Sequence, residues 1–339
     1  MARPTIEDVA RIAGVSIATV SRCLHKPDVV TKATRDRVLS AVRDTGYALN
    51  TAAQSLRIRR SNTVLVVVPD IGNTFFSEIL RGIQQVASDA GITILIADTG
   101  GQRLREEGFM RNLLNGRADG ALLLAEPQVP WLDLPVANSR GVRPVVVISE
   151  AMPGTRTLSV EIDNIGAAEL AVNHLLELGH RSIAHLTGPG TNILTAMRRE
   201  GYRQALRKAG IEPDPAMEIG GDFGVASGVA AFARFRQLDP LPTAIFCAND
   251  ESAMGFISAA NAAGLKVPQD VSVMGFDDIH FAQVFLPPLS TVHQPRSDMG
   301  AEAMRLLLSV WAEEEPQPVV LPATVVLRES TARAPFRPA

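Results

Sequence analysis

Thr5-Ile6-Glu7-Asp8-Val9-Ala10-Arg11-Ile12-Ala13-Gly14-Val15-Ser16-Ile17-Ala18-Thr19-Val20-Ser21-Arg22-Cys23-Leu24 reads as two short helices joined by a tight turn. Apolar Ile6, Val9, Ala10 and Ala13 recur at helical spacing, and Gly14 supplies a C-cap before Val15. Ser16 can then N-cap a second helix carrying Thr19, Val20 and Leu24. Thr5 followed by Asp8 has capping-box spacing, with aspartate where Glu or Gln is commoner. Such a pair can be a plain helical hairpin. It is also the pattern of a helix-turn-helix, whose second helix enters the DNA major groove.

Outward from this stretch the charge changes sign. Residues 1–60 hold 11 Lys/Arg and 5 Asp/Glu, a net +6, while the remainder holds 22 and 31, a net −9. A basic head on an acidic body is the footprint of a nucleic-acid module attached to something else. A solvated charged face does not explain why the bias falls in one segment. At 339 residues, 46% hydrophobic and 20% charged, the chain has the composition of a globular protein with two or three domains. Cys23 and Cys247 are its only cysteines, which suggests a reducing compartment and argues against a disulfide framework or zinc site. No N-terminal apolar run resembles a signal peptide, and no apolar run of roughly 18 residues could span a membrane. A cytoplasmic protein without a membrane partner is expected.

Residues 30–46 read as a third helix, with Val38, Leu39 and Val42 on its inner face and Gly46 as its stop. These three helices form an expected headpiece over residues 1–48. Residues 49–61, small residues followed by alternating apolar and basic ones, are either a plain linker or a hinge helix that orders on DNA. From Asn62 the pattern changes to short apolar strands alternating with amphipathic helices. Strands are expected at 63–68, 92–96, 120–124 and 145–148, then at 182–186, 243–247 and 271–274. Helices fall between them, such as 76–90, 165–178 and 198–209. Continuous Val/Ile/Leu strands separated by helices imply parallel sheets covered on both faces, here as two doubly wound lobes.

The usual enzyme signals are missing: no Gly-x-Ser-x-Gly, His-Glu-x-x-His, P-loop, or Gly-x-Gly-x-x-Gly after the first strand. His180 and His185 read as structural residues of a helix-to-strand connection. The chain is expected to be neither an enzyme nor a cofactor protein.

Several motifs together resemble the LacI/GalR family of transcriptional regulators, and the resemblance covers nearly the whole chain. They are Val15-Ser16-Ile17-Ala18-Thr19-Val20-Ser21-Arg22, Ala53-Gln54-Ser55-Leu56, Leu178-Gly179-His180-Arg181-Ser182-Ile183-Ala184, Gly188-Pro189, Arg198 with Gly201-Tyr202, Ala248-Asn249-Asp250, Val271-Ser272-Val273-Met274-Gly275-Phe276-Asp277-Asp278 and Pro288-Leu289-Ser290-Thr291-Val292-His293-Gln294-Pro295. Within the family, Val68-Pro69-Asp70-Ile71-Gly72-Asn73-Thr74-Phe75-Phe76-Ser77-Glu78 and Ile162-Asp163-Asn164 look most like the cytidine (nucleoside) repressor branch. The resemblance implies an α-helical helix-turn-helix headpiece followed by an α/β periplasmic-binding-protein-like core over residues 62–339, for effector binding and dimerisation. Its N-lobe would be residues 62–163 plus 293–323 and its C-lobe 164–290 plus 324–339.

The resemblance places Ile17, Ala18 and Arg22 at the base-reading positions. Arg22 can meet guanine O6 and N7 bidentately, while Ile17 and Ala18 offer only apolar contacts. Thr5, Ser16, Thr19, Ser21 and Thr34 would hold phosphates and set register; for Thr5 and Ser16 helix capping is a compatible role. Asn50, Ala53, Gln54 and Leu56 match the hinge, where a leucine wedges into the minor groove and kinks the duplex. The plain alternative for Leu56 is an ordinary linker residue.

An effector would sit between the lobes, against Asn73, Phe75, Phe76, Asp163, Arg198, Phe223, Asn249, Asp277 and Gln294. Strand-end loops are where open α/β sheets take ligands. The aromatics suit a sugar ring or base, although one of Phe75 and Phe76 is expected to be core. Arg198, Asp277, Asn249 and Gln294 suit a polyol; for Arg198 and Asp277 the alternative is a structural ion pair across the cleft. Asn192 and Leu194 depart from the purine-base repressor's charged and hydroxyl residues, which weakens the case for a free purine. The implied protein is a repressor that binds a palindromic operator on double-stranded DNA as a homodimer and senses a nucleoside or ribose-type sugar. Another sugar or a purine, or a sugar-binding module without DNA regulation, is the alternative. The short, proline-broken tail at residues 332–339 favours a dimer over the family's leucine-heptad tetramers.

Overall fold

The computed structural model describes residues 4–25, 27–47, 61–124, 143–150 and 157–335. The chain divides into two units, Met1–Ser61 and Asn62–Ala339. The hinge candidates Asn50, Ala53, Gln54 and Leu56 lie outside the described residues.

In the first unit, helices α1 (Ile6–Ala13), α2 (Ile17–His25) and α3 (Lys32–Thr45) enclose a core of Val9, Ala10, Ala13, Val20, Cys23, Val38 and Ala41. The capping box is present in both directions: Asp8 N donates to Thr5 Oγ1 at 3.3 Å, and Thr5 N donates to Asp8 Oδ2 at 3.0 Å. Gly14 ends α1 at φ 63°, a left-handed conformation that costs glycine nothing, and Val15 N reaches back to Ala10 O at 3.1 Å. Ser16 opens α2 by accepting from Thr19 N at 3.2 Å. One inner-face expectation fails: Leu39 is 38% exposed, and Ala41 fills the position against the other helices instead.

The second unit holds two parallel sheets. The larger uses β1 (Thr63–Val68), β2 (Thr93–Asp98), β3 (Gly120–Leu123), β4 (Val145–Ile148), β5 (Leu158–Ile162) and β11 (Val319–Leu321), in the order β11-β5-β4-β3-β1-β2. The smaller uses β6 (Ile183–Leu186), β7 (Glu218–Ile219), β8 (Ala244–Cys247) and β9 (Ser272–Met274), in the order β7-β6-β8-β9. Strands β10 (Thr291–His293) and β12 (Thr324–Val326) pair antiparallel as a separate ribbon. All ladders within the two larger sheets are parallel. Covering helices include α4 (Thr74–Asp89), α5 (Arg103–Leu114), α6 (Asn164–Glu177), α7 (Ile193–Lys208), α8 (Val225–Phe235), α9 (Asp250–Ala262) and α10 (Arg296–Trp311). One apolar cluster runs from Val64, Leu122 and Val146 through Ala167, Ala171 and Leu175 to Tyr202 and Phe246, so both sheets share a core.

Three helix pairs cross at glycines. A Cβ on Gly82 of α4 would lie 1.9 Å from Ser297 O, and one on Gly300 of α10 would lie 2.0 Å from Ile79 O. Gly228 of α8 and Gly255 of α9 repeat this reciprocal arrangement, each 2.0 Å from the other helix's carbonyl. Gly201 of α7 would meet Ile165 O of α6 at 2.2 Å. These helices approach too closely for any side chain at the crossing.

The end of the described chain is stitched into the smaller sheet. Ser330 Oγ donates to Val273 O at 2.6 Å and accepts from Ser290 N at 2.8 Å. His180, fully buried, donates from Nε2 to Ala332 O at 3.0 Å, and Ala334 N donates to Leu178 O at 2.9 Å. His185 lies within β6, not in the preceding connection as expected. It is stacked between Tyr202 and Phe246, its centroid 5.0 and 4.8 Å from theirs, and burial pushes its pKa down to about 4.

Candidate functional site

Two surfaces hold the sequence candidates. On the first unit, Ile17, Ala18 and Arg22 all lie on the exposed side of α2, with Ile17 46% exposed, while Val20 and Cys23 point into the core. An isoleucine left in water at the start of a helix this small costs apolar exposure, which contact with a base methyl would recover. Thr5 and Ser16 are exposed, and Thr19, Ser21 and Thr34 are partly so. Their hydroxyls also serve the local fold: Thr5 and Ser16 cap helices, Ser16 and Thr19 share a hydrogen bond at 2.9 Å, and Thr34 accepts from Thr31 at 3.1 Å.

On the second unit, Asn73, Phe75, Phe76, Arg198, Phe223, Asn249 and Asp277 line one small cavity. A larger cavity of about 570 Å³ shares Asn73, Phe76, Glu150 and Phe223 with it. Loops leaving strands of both sheets build the walls, as the strand-end rule requires. Phe75 and Phe76 begin α4, with centroids 5.2 Å apart and planes at 81°. Phe76 belongs to the shared core as well as to the wall. The Phe223 ring is placed by Gly188, where a Cβ would lie 2.1 Å from its Cζ. Ser149, Phe223 and Asp277 border the cavity at φ 74°, 70° and 117°, and backbone strain of this kind gathers at ligand sites.

Arg198 and Asp277 form the floor, both nearly sealed from solvent. Arg198 donates to Ala248 O at 2.5 Å and to Asn164 Oδ1 at 3.0 Å, and stacks 3.8 Å above the Phe276 ring. Its guanidinium is 3.7 Å from Asp277 Oδ1. Burial pushes the Asp277 pKa up to about 6, against the opposing pull of Arg198 and Arg296. The neighbouring Asp250 carboxyl is driven well above the ordinary range, chiefly by burial and then by the Asp277 charge. The Arg198–Asp277 pair is not a bridge across the cleft: both residues follow strands of the smaller sheet.

Three expected residues stand differently. Asp163 does not line this cavity; it caps α6, accepting from Gly166 N at 2.9 Å, and borders a separate groove beside β11. Gln294, fully buried, donates to Asp277 Oδ1 at 2.7 Å and borders a different cavity of about 300 Å³, so it holds Asp277 from behind. Asn249 caps α9 through Ser252 and donates to Phe223 O at 2.7 Å, which leaves one amide hydrogen for other use. Sequence reading passed over Glu150, Asp222 and Glu251, which line the larger cavity together with Asn192. Glu150 follows β4 closely and could have been found by the strand-end rule. Among the described residues no group of three His, Cys, Asp or Glu could hold a metal ion, and no helix is long and apolar enough to cross a membrane.

Residues 5–50 match the family model described as bacterial regulatory proteins, lacI family, and residues 172–331 match the periplasmic binding protein-like domain. The chain is 43% identical over 304 residues to the HTH-type transcriptional repressor CytR of Escherichia coli (strain K12), covering 90% of this chain and 89% of that one. Among solved structures, the lac repressor dimer bound to operator and the anti-inducer ONPF superposes with TM-score 0.86 at 27% identity, covering 98% and 100%. The complex of the transcriptional regulator CelR with cellobiose gives TM-score 0.73 at 35% identity, covering 97% and 100%. The chain belongs to the lacI family of bacterial regulatory proteins.

Proposed function

We propose that this regulator is a repressor that binds a palindromic operator as a homodimer through the exposed side of α2, and that a nucleoside or ribose-type sugar in the core cavity controls that binding. The observation that carries the effector reading is the cavity itself: Phe75, Phe76 and Phe223 against the polar floor of Arg198 and Asp277. Aromatic faces suit a sugar ring or base, and buried polar groups reject a ligand lacking the matching hydroxyl, because they would be left unpaired. One headpiece reads few base pairs, and a two-fold dimer matches a palindrome. The similarity to CytR supports a repressor. A role on DNA sets the protein in the cytoplasm.

Control is a population shift. The effector must bind the DNA-competent and incompetent arrangements with different affinity, by about 1–3 kcal/mol if the coupling is typical. A second reading, a disaccharide, is favoured by the roomier cavity and by the cellobiose held in the CelR structure. A thermal-shift screen of nucleosides, ribose, disaccharides and purine bases separates them, since a ligand of the folded core raises its melting temperature. Stabilisation by cellobiose with none from any nucleoside or pentose would overturn the first reading. A DNA affinity that falls steeply as salt rises is expected for the operator role; a flat salt response would sink it.

A further inference from the structure

Ser149 goes against two rules of stability at one position. Its hydroxyl oxygen is buried without a hydrogen-bond partner, and the residue as a whole is only 4% exposed. Its backbone sits at φ 74°, in the left-handed region that favours glycine. An orphaned buried hydroxyl and a serine held left-handed each destabilise the folded chain, and features of this kind gather where a ligand is met.

The fold makes no use of this side chain. Ser149 directly follows β4, and its backbone N–H extends the β4–β5 ladder by donating to Val160 O at 2.8 Å. The main chain alone fixes the position, so glycine would serve the sheet as well. The other left-handed residues at the small cavity differ: Phe223 O accepts from Asn249 and the Asp277 carboxylate from Gln294, so strain there aims groups that already have partners. Thr195 of α7 carries a second buried hydroxyl without a partner, but it lines neither cavity of the cleft. Ser149 does line the small one, with Phe75, Phe76 and Leu124 from the larger-sheet side, whereas Arg198 and Asp277 come from the smaller-sheet side. No hydrogen bond holds the serine hydroxyl where it stands, so turning it about its one side-chain bond toward a ligand breaks nothing.

We propose that Ser149 is a specificity-determining residue of the effector site: its hydroxyl bonds a hydroxyl or amine of the ligand from the larger-sheet side, while Arg198 and Asp277 hold polar groups from the smaller-sheet side. This rests on the cleft being the effector site. A ligand held in this way touches both lobes at once. An analogue lacking the matching group leaves the serine unpartnered and gains nothing there.

Calorimetric titration of the full chain and of Ser149→Ala with cytidine, ribose and cellobiose tests it. The variant should bind its ligand about tenfold more weakly. Free of ligand it should melt no lower than the parent, because the group removed had no partner to lose. With cytidine as the probe, 2′-, 3′- and 5′-deoxycytidine and uridine locate the group that the serine meets. One of the four should bind the parent about tenfold more weakly than cytidine does, a gap that closes in Ser149→Ala. Thr195→Val removes the other unpartnered hydroxyl and should leave affinity unchanged. Ser149→Gly, at ease in the left-handed region, carries the comparison if the alanine variant does not fold. Undiminished affinity in the serine variants, four gaps that all persist, or an equal loss in Thr195→Val overturns the proposal. If cytidine and ribose are silent and cellobiose binds, the nucleoside reading falls and the serine variants are scored on cellobiose. Silence of all three defeats the cleft reading and this proposal together.

Discussion

Asp277 shows how one residue can serve both the fold and a ligand. Its carboxylate is held by Gln294 and faced by Arg198, yet burial raises its pKa to about 6 from an ordinary 3.8. Between those values the folded chain binds more protons than the unfolded one. The associated stability is therefore complete below about pH 4 and lost as pH rises through about 6. Asp277→Asn should remove that loss, so denaturant titrations of the variant and parent should diverge more at pH 8 than at pH 4; equal divergence would refute the assignment. Asp277→Ala should abolish the effector response and leave DNA binding of the free protein intact, as read by fluorescence anisotropy. On α2, Arg22→Ala should relax base preference at one position, at about 1–3 kcal/mol, measured against a library of operator variants. An unchanged preference would move base reading elsewhere. Much of the cavity was legible because strand-end loops are where such sheets bind ligands, and Asn73, Phe75 and Asp277 follow strands directly. Asp163 was misread by the same rule. It also follows a strand, but the end of β5 delivers it to a different rim, and its carboxylate is consumed in capping α6.

At the scale of elements, caps set boundaries that apolar periodicity missed. Helix α7 begins at Ile193, five residues before the expected start at 198, because Asn192 caps it. The glycine crossings were not legible at all, since Gly82 and Gly300 acquire their meaning only from partners far away in sequence. In an isolated helix, replacing either by alanine would raise helix propensity by about 1 kcal/mol. Here the added methyl meets a backbone carbonyl that cannot turn aside. Gly300→Ala should destabilise the core by about 3 kcal/mol, read from chemical denaturation, while Gly264→Ala serves as a contrast: its Cβ would meet nothing within 4 Å, although φ is 79° there. If Gly300→Ala melted no lower than the parent, the close crossing would be disproved.

For the whole molecule, both strand series and the change at Asn62 were visible in sequence, because strands buried on both faces require unbroken runs of Val, Ile and Leu between their helices. Strands β5, β7, β10, β11 and β12 escaped notice; all but β5 have only two or three residues, which carry no period, and in β5 Ser159 and Glu161 interrupt the apolar run. The proposed hinge belongs to this scale because its effect is felt only when two chains meet one operator. Leu56→Ala should weaken operator binding strongly and leave effector affinity unchanged, by parallel DNA and ligand titrations; undiminished operator affinity would remove the wedge. The stitched chain end has a consequence for synthesis. Among the described residues the core of the first unit is drawn from residues 6–47 alone, so this unit is expected to fold while the ribosome is still translating the core. The two sheets cannot finish so early: the larger needs β11, and the smaller needs Ser330 and Ala332 to close over Val273 and His180. A nascent chain is therefore expected to carry its DNA-reading head before its sensing half is complete, and termination before Ser330 removes the contacts that close the smaller sheet.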